Sequence, residues 1–243
     1  AALVIHGNDR SLAAVAAPAG PPQLNLATLG AFPNDIVVRG GRAYVVCSGA
    51  DAISVVDLAT NTLVGTIPCG VGSNPWSLVF TSDSRAWVSR LNTNDVLALD
   101  MPAGTVAATI PVGRSPEGLC VAAGRVFVAN SGFNFSNFSY DPGTVSVIDP
   151  ATNSVIATLP VGLNPQSVAT APNGEVHALC SGDYFSAFGR AFVLDGTPYS
   201  QVGSNRTVTD VGTFTIAFSA QPGFKRDEMT SNVYCPYAAS CGM

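Results

Sequence analysis

The chain has 243 residues, of which 47% are hydrophobic and only 11% are charged, and its formal net charge is −5. This composition supports a sizeable folded core and excludes a largely disordered chain. With 11 basic against 16 acidic side chains and no basic run, it argues against nucleic acids and anionic membrane surfaces as partners, because both attract clustered Lys and Arg.

A repeat runs through most of the chain at intervals of roughly 40 to 50 residues. Four segments follow the same course and open at Pro33, Pro75, Pro116 and Pro165. Each is predicted to form four short strands, because apolar residues rich in Val and Ile alternate between turn signals such as Gly40-Gly41 and Asn173-Gly174. Four strands in a unit of this length are typical of a β-propeller blade, so the predicted fold class is all-β.

The two ends of the chain predict one further blade that they share. Residues 2–29 are predicted to form three strands separated by similar turn signals, and they lack the first strand of the repeat. Residues 213–219 (TFTIAFS) line up with the first strand of another repeat, PWSLVFT. A propeller closes when one end supplies the strand that the other lacks, which removes exposed sheet edges. We therefore expect five blades, the first of them closed by the C-terminal strand.

These boundaries predict a single β-propeller domain over residues 1–223, followed by a Cys-containing tail of residues 224–243. The five blades are expected at residues 2–32 together with 213–219, then 33–74, 75–115, 116–164 and 165–212. Six blades would need further strands within residues 224–243, which are too polar and too rich in Cys to form them.

Two segments of the repeat, YVVCSGADAISVVDLATNTLVGTIP and VFVANSG…GTVSVIDPATNSVIATLPVG, resemble the YVTN-repeat, YncE-like β-propeller family. The resemblance is strong over residues 33–195 and weak at the two ends. It implies a propeller and an exported protein of a bacterial or archaeal surface or periplasm, and it implies no particular chemistry. Members of the family usually have about seven blades, so the five expected here depart from its pattern.

Familiar catalytic signatures do not occur in the sequence, which has no phosphate-binding loop, dinucleotide fingerprint, nucleophile elbow or Cys-x-x-Cys motif. We therefore predict no catalytic residue and no cofactor. Of the two histidines, His177 occupies the slot that holds Tyr44, Trp87 and Phe127 in the other blades, which indicates a core position rather than a ligand.

One column of the aligned repeats contains side chains that could bind a metal. At the end of the second strand it holds, in chain order, His6, Cys47, Arg90, Asn130 and Cys180. Zinc needs ligand distances of about 2 Å, whereas corresponding strands of neighbouring blades are expected on the order of 10 Å apart. We therefore expect each side chain to bond within its own blade, and we predict no metal site.

The six cysteines fall into two groups. Cys235 and Cys241 lie in a short polar segment, CPYAASC, whose length and proline favour a local disulfide. Cys47, Cys120 and Cys180 lie in predicted strands and are expected to be buried thiols. Cys69 lies near a loop that joins two blades, and neither burial nor exposure is predicted for it. This many cysteines, in a chain that starts at Ala1, favours a mature periplasmic or extracellular protein whose signal peptide has been removed, with a trimmed chain as the alternative.

Two sets of residues are candidates for binding a ligand or a partner. The first set opens the first strand of each blade and should line one mouth of a central channel: Asn34, Trp76, Glu117, Gln166 and Phe214. The second set is an aromatic insertion that either covers its own blade or docks on a partner: Phe133, Phe135, Phe138 and Tyr140.

Three functions compatible with this sequence remain. The leading hypothesis is an exported, non-enzymatic propeller that binds another protein or a cell-surface component, for example as an accessory subunit of a larger envelope or membrane complex. The second is an enzyme of the hydrolase or lyase type in the central funnel, for which only Glu117 offers a carboxylate. The third is a carbohydrate or small-ligand binder that uses Trp76 and the other aromatic rings for stacking. No stretch is apolar enough to predict a membrane span.

Overall fold

A computed structural model of the chain describes residues 2–15, 21–184, 186, 189–194 and 206–207. The described residues are all-β, with one short 3₁₀ turn at Ser48–Ala50. No helix among them is long and apolar enough to cross a membrane. The predicted closing strand of residues 213–219, with Phe214, lies outside the described residues, as does the tail with Cys235 and Cys241.

The described strands form five sheets of three or four strands that follow one another along the chain, and one further two-stranded hairpin. Sheet A contains β1 (Ala2–His6), β2 (Ser11–Val15) and β3 (Gln23–Thr28). Sheet B contains β4 (Pro33–Arg39), β5 (Arg42–Cys47), β6 (Ala52–Asp57) and β7 (Thr62–Pro68). Sheet C contains β8 (Pro75–Ser82), β9 (Arg85–Arg90), β10 (Asp95–Asp100) and β11 (Thr105–Pro111).

Two more four-stranded sheets complete the described fold. Sheet D contains β12 (Pro116–Ala122), β13 (Arg125–Asn130), β16 (Thr144–Asp149) and β17 (Ser154–Pro160). Between β13 and β16 the chain forms a small separate hairpin, β14 (Phe133–Asn134) and β15 (Ser139–Tyr140). Sheet E contains β18 (Pro165–Thr170), β19 (Val176–Cys180), β20 (Arg190–Leu194) and β21 (Arg206–Thr207).

The prediction of four antiparallel strands per repeat is confirmed for sheets B to E, and the predicted prolines begin their first strands. Sheet A has the three predicted strands, and within the described part of the chain β1 is paired only with β2. The pairing of residues 213–219 with β1 stays a prediction. The chain divides into two compact units, Ala1–Thr109 and Ile110–Met243.

A repeated backbone contact explains why each repeat opens as it does. The residue before each opening proline has a positive φ, as in Ser115 (49°) and Asn164 (56°). Its carbonyl oxygen accepts a hydrogen bond from the amide of the residue that follows the second strand, 3.1 Å from Ser131 to Ser115 and 2.9 Å from Ser181 to Asn164. The contact fixes the beginning of the first strand beside the end of the second, where the candidate residues Glu117 and Gln166 lie.

The core of each unit consists of alternate strand residues from neighbouring sheets. In the first unit, Val46 and Ile53 of sheet B pack with Leu78 and Val88 of sheet C. In the second unit, sheets D and E share a core that includes Phe127. The slot predicted to hold core aromatic residues is confirmed, because Tyr44, Trp87, Phe127 and His177 are all buried.

Candidate functional site

The aromatic insertion forms the hairpin β14–β15, which we call the aromatic hairpin (residues 133–140). Phe133 pairs with Tyr140, and Asn134 pairs with Ser139. The Phe138 amide closes the turn by donating to the Asn134 carbonyl oxygen at 2.8 Å. The Asn134 side chain also accepts a hydrogen bond from the Ser136 amide at 3.0 Å, as turn-forming Asn residues commonly do. The segment is therefore an ordered turn with a defined shape.

A narrow neck joins the aromatic hairpin to sheet D. The Gly132 amide donates to the Arg114 carbonyl oxygen at 3.0 Å, and the Asp141 amide donates to the Gly132 carbonyl oxygen at 2.9 Å. Gly132 has a φ of +75°, and a Cβ there would lie 2.5 Å from the Asp141 carbonyl oxygen, so only glycine fits. The Ser115 hydroxyl donates to the Phe133 carbonyl oxygen at 2.9 Å, and Arg114 and Asp141 form an ion pair across the neck at 3.3 Å.

The rings of the hairpin pack on one another in tilted and edge-on geometries. The Phe133 ring centroid lies 4.8 Å from that of Phe135, 6.2 Å from that of Phe138 and 5.1 Å from that of Tyr140. Tyr140 in turn contacts Tyr184, with 6.5 Å between centroids. Phe133 and Tyr140 are half-buried, whereas Phe135 is 53% and Phe138 is 78% exposed. The hairpin thus packs two rings inward and presents two outward, while docking on a partner stays a prediction.

Glu117 lies in β12 at the base of this hairpin and is only 6% exposed. Burial raises the pKa of its carboxyl group to about 8, although a hydrogen bond with Ser131 acts in the opposite direction. The Ser131 hydroxyl also donates to the Ser115 carbonyl oxygen at 2.9 Å, so Ser131 connects Glu117 to the neck. The pKa of Tyr140 is raised to about 12, first by burial and then by Tyr184 and Glu117.

Gln166 lies at the matching position of β18, in the same unit. Its side-chain oxygen accepts hydrogen bonds from the Ser181 hydroxyl at 2.6 Å and from the Tyr184 hydroxyl at 3.3 Å. Strands β12 and β18 approach closely here, because a Cβ on Gly118 would lie 2.8 Å from the Gln166 carbonyl oxygen. Tyr184 therefore links Gln166 to Tyr140, and the structure brings two members of the predicted ring together with the aromatic insertion.

The other predicted ring residues lie elsewhere. Asn34 and Trp76 belong to the first unit, at the second positions of β4 and β8 as predicted. Asn34 is exposed and accepts a hydrogen bond from the Ser48 hydroxyl at 3.3 Å, while Trp76 is half-buried. Phe214 lies outside the described residues, so a complete ring stays a prediction.

Sequence reasoning missed Tyr184, which connects the two halves of the candidate site. It follows β19 in the segment SGDYFSAFG, whose aromatic residues between small and polar ones resemble those of the hairpin. That similarity of composition was the available signal. The contact itself depends on how two loops from different sheets lie in space, and spacing along the chain does not give this.

Several of the side chains that suggested a metal site have hydrogen-bond partners in the structure. Cys47, Arg90, Asn130 and Cys180 each end the second strand of their sheet, as the alignment predicts, whereas His6 ends β1, the first described strand of sheet A. Asn130 donates to Thr144 at 3.1 Å and to Ser146 at 2.9 Å, within sheet D. Among the described residues, no group of three or more His, Cys, Asp or Glu side chains could hold a metal ion.

Arg90 bonds within its own blade, as expected, and in addition reaches beyond it. Two of its guanidinium nitrogens lie 2.7 Å from the two carboxylate oxygens of Asp95 in the same sheet. A third donates to the Cys69 carbonyl oxygen at 2.8 Å, beyond the end of sheet B. A guanidinium group is long and has five donors, so it reaches the neighbouring sheet while keeping its carboxylate partner.

The thiols of Cys47, Cys69, Cys120 and Cys180 are all free and buried. This confirms the prediction for three of them and settles the fourth, Cys69, as buried. Burial raises the pKa of Cys69, Cys120 and Cys180 to about 12 in each case. The structure thus gives these thiols a packing role.

A separate cleft of about 650 Å³ lies in the first unit between β3 and β7. Its lining is uncharged and includes Asn25, Ser54, Asn61 and Leu63. None of the residues that the sequence singled out contributes to it.

Comparisons with known proteins agree with this architecture. No family model matches the chain. A seven-bladed β-propeller protein of Mycobacterium tuberculosis is 38% identical over 82 residues, which cover 32% of this chain and 21% of that protein. The sheets and this relative support a β-propeller fold. That relative is named for seven blades, and the match spans only about a fifth of its length, so the blade count of this chain stays a prediction.

Solved structures show the same fold at low sequence identity. Hydrazine synthase of Kuenenia stuttgartiensis gives a TM-score of 0.64 at 19% identity, covering 73% of this chain and 49% of that one. A protein of unknown function from Desulfotomaculum acetoxidans gives a TM-score of 0.66 at 13% identity, and the match covers 85% of this chain and 66% of that one. The computationally designed Ika8 protein gives a TM-score of 0.59 at 15% identity, and the match covers 77% of this chain and 52% of that one. At these identities the likeness concerns the fold alone.

Proposed function

We propose that this protein is an exported, non-enzymatic β-propeller that binds another protein, and that the aromatic hairpin is its docking element. The observation that supports this most directly is the exposure of Phe138 (78%) and Phe135 (53%) on an ordered turn. Large apolar rings held out to solvent lose the hydrophobic stabilisation that they would gain on burial. Aromatic residues of this kind are the usual energetic centres of protein interfaces.

The chemistry of the hairpin limits the kind of partner. Its sequence, FNFSNFSY, contains no charged residue, and the ion pair at its neck is formed between Arg114 and Asp141. The partner should therefore offer an apolar recess for Phe138, bordered by groups that hydrogen bond with Asn and Ser. Binding should depend little on salt, because no exposed charge of the hairpin takes part. A subunit of a larger envelope or membrane complex fits this description.

The enzyme hypothesis has less support from the geometry. Glu117 is the carboxyl group of this site with a clearly raised pKa, a property that is common in active sites. It is only 6% exposed, however, and lies at the base of the hairpin, where a substrate would have to displace packed rings. The propeller fold of the structural neighbours decides nothing about chemistry.

Replacement of Phe138 by Ala tests the proposal, with Phe32→Ala as the matched control. Phe32 is a comparably exposed phenylalanine (66%) in the first unit. Each variant is expressed in the native source and purified gently, and the retained partner is quantified. We expect F138A to weaken retention by more than about tenfold, the effect of losing at least 1.4 kcal/mol at an interface. F32A should retain the partner, and both variants should melt near the wild-type temperature.

Two results would contradict the proposal. Equal retention by F138A and F32A would place the binding face elsewhere. Isolation of the wild-type protein without a partner, together with binding of a soluble glycan that F138A loses, would favour the carbohydrate-binding alternative, in which the same rings stack on sugar faces.

A further inference from the structure

A buried ionisable group that the proposed docking function does not use lies beside the neck of the aromatic hairpin. Glu117 is buried two residues after Ser115, whose hydroxyl holds the Phe133 carbonyl oxygen. Ser131, which bonds with Glu117, precedes Gly132, the narrow point of the neck. Glu117 is therefore a buried carboxyl group bonded to the residue that begins the neck.

We propose that Glu117 is a proton-operated latch: its neutral carboxyl group lets the aromatic hairpin close over β12, and its ionised carboxylate favours the open hairpin. A carboxylate costs far more to bury than a carboxylic acid, and water solvates the carboxylate once the neck opens. Opening then releases one proton from Glu117 to the solvent. The latch concerns the hairpin itself and is tested without any partner.

The groups that face Glu117 from the surrounding elements are consistent with this role. On the hairpin the titratable neighbour is Tyr140, whose pKa is raised to about 12, so it stays neutral through the relevant range. Tyr140 in turn contacts Tyr184, on the segment after β19, whose hydroxyl bonds with the neutral side chain of Gln166 on β18. The charged groups of the neck are Arg114 and Asp141, which are bound to each other at 3.3 Å. Opening is thus governed by the charge of Glu117 and only indirectly by its neighbours.

The direction of the pH dependence follows from linkage. The pKa of Glu117 is about 8 in the closed structure and returns towards the ordinary 4.5 when water reaches the group. The closed state therefore binds the proton more tightly, and closure is strongest below about pH 4.5. It weakens as pH rises towards about 8 and changes little above that, because both states are then ionised.

Hydrogen exchange of the hairpin amides measures this directly. The amides of Gly132, Phe138 and Asp141 report on closure, since each donates to a backbone oxygen in the hairpin or its neck. After correction for intrinsic exchange, we expect their protection in the wild-type protein to fall by about tenfold per pH unit between pH 5 and 8 and then to level off. In Glu117→Gln, protection should be independent of pH. The control Asp83→Asn, which changes a 92% exposed carboxylate of the first unit, should keep the wild-type profile.

Either of two results would overturn the latch. One is flat protection of these amides from pH 5 to 8 in the wild-type protein, and the other is the same fall in the Glu117→Gln variant. If that variant does not fold, the carboxyl carbon of Glu117 is titrated by NMR in the wild-type protein. A midpoint below pH 6, or a midpoint that does not coincide with a change in the hairpin signals, would also refute the proposal.

Discussion

Loss of the Arg90 side chain should destabilise the first unit strongly. Arg90 and Asp95 are 14% and 11% exposed, and their two nitrogen–oxygen contacts are both 2.7 Å. Arg90→Met would leave the Asp95 carboxylate buried without its cation and the Cys69 carbonyl oxygen without its donor. Breaking a buried ion pair from one side typically costs about 3–5 kcal/mol. For a protein of this size that corresponds to a fall in melting temperature of roughly 6–20 °C.

Differential scanning calorimetry with two companion variants tests this reasoning. Arg39→Met breaks the exposed pair with Asp83, whose side chains are 38% and 92% exposed, and should cost at most about 1 kcal/mol. The double variant Arg90→Met/Asp95→Leu removes both charges and should recover most of the lost stability, because an apolar pair avoids the desolvation cost. Equal shifts for Arg90→Met and Arg39→Met, or a double variant less stable than Arg90→Met alone, would refute the account.

Three further predictions concern the cysteines and the chain ends. The thiols of Cys47, Cys69, Cys120 and Cys180 should react with a thiol reagent at pH 8 only after denaturation, because all four are buried; fast labelling of the native protein at any of them would contradict this. Non-reducing peptide mapping should find Cys235 linked to Cys241, and finding them unlinked would disprove the disulfide. Deletion of residues 212–243 should cause aggregation or loss of cooperative unfolding if residues 213–219 pair with β1, whereas a monomeric product with a normal melting transition would refute that closure.

The sheets were predictable because their signals are local and repeated. The alternating apolar pattern, the opening prolines and turns such as Gly40-Gly41, with φ values of 55° and 72°, each specify structure within a few residues. The repeat then reinforced every assignment, and it placed His177 correctly among the core aromatic residues. The blade count depends on contacts between the chain ends, which no local signal determines.

The candidate site was only partly predictable. The sequence singled out Glu117, Gln166 and the aromatic insertion, but as two separate sets. Their connection through Tyr184 depends on the spatial approach of loops from two sheets. Burial in the folded protein raises the pKa of Glu117. The sequence shows only that a glutamate stands at this position, and it gives no sign that its pKa is raised.

Site-specific photo-crosslinking tests the docking proposal most directly. A photoreactive phenylalanine analogue is placed at Phe138 on the hairpin and, as a control, at Val71, which is fully exposed in the first unit. After irradiation in the native source, the account predicts that position 138 captures one defined protein and that position 71 does not. The absence of any protein product at position 138, or capture of the same proteins with the same yield at both positions, would contradict it.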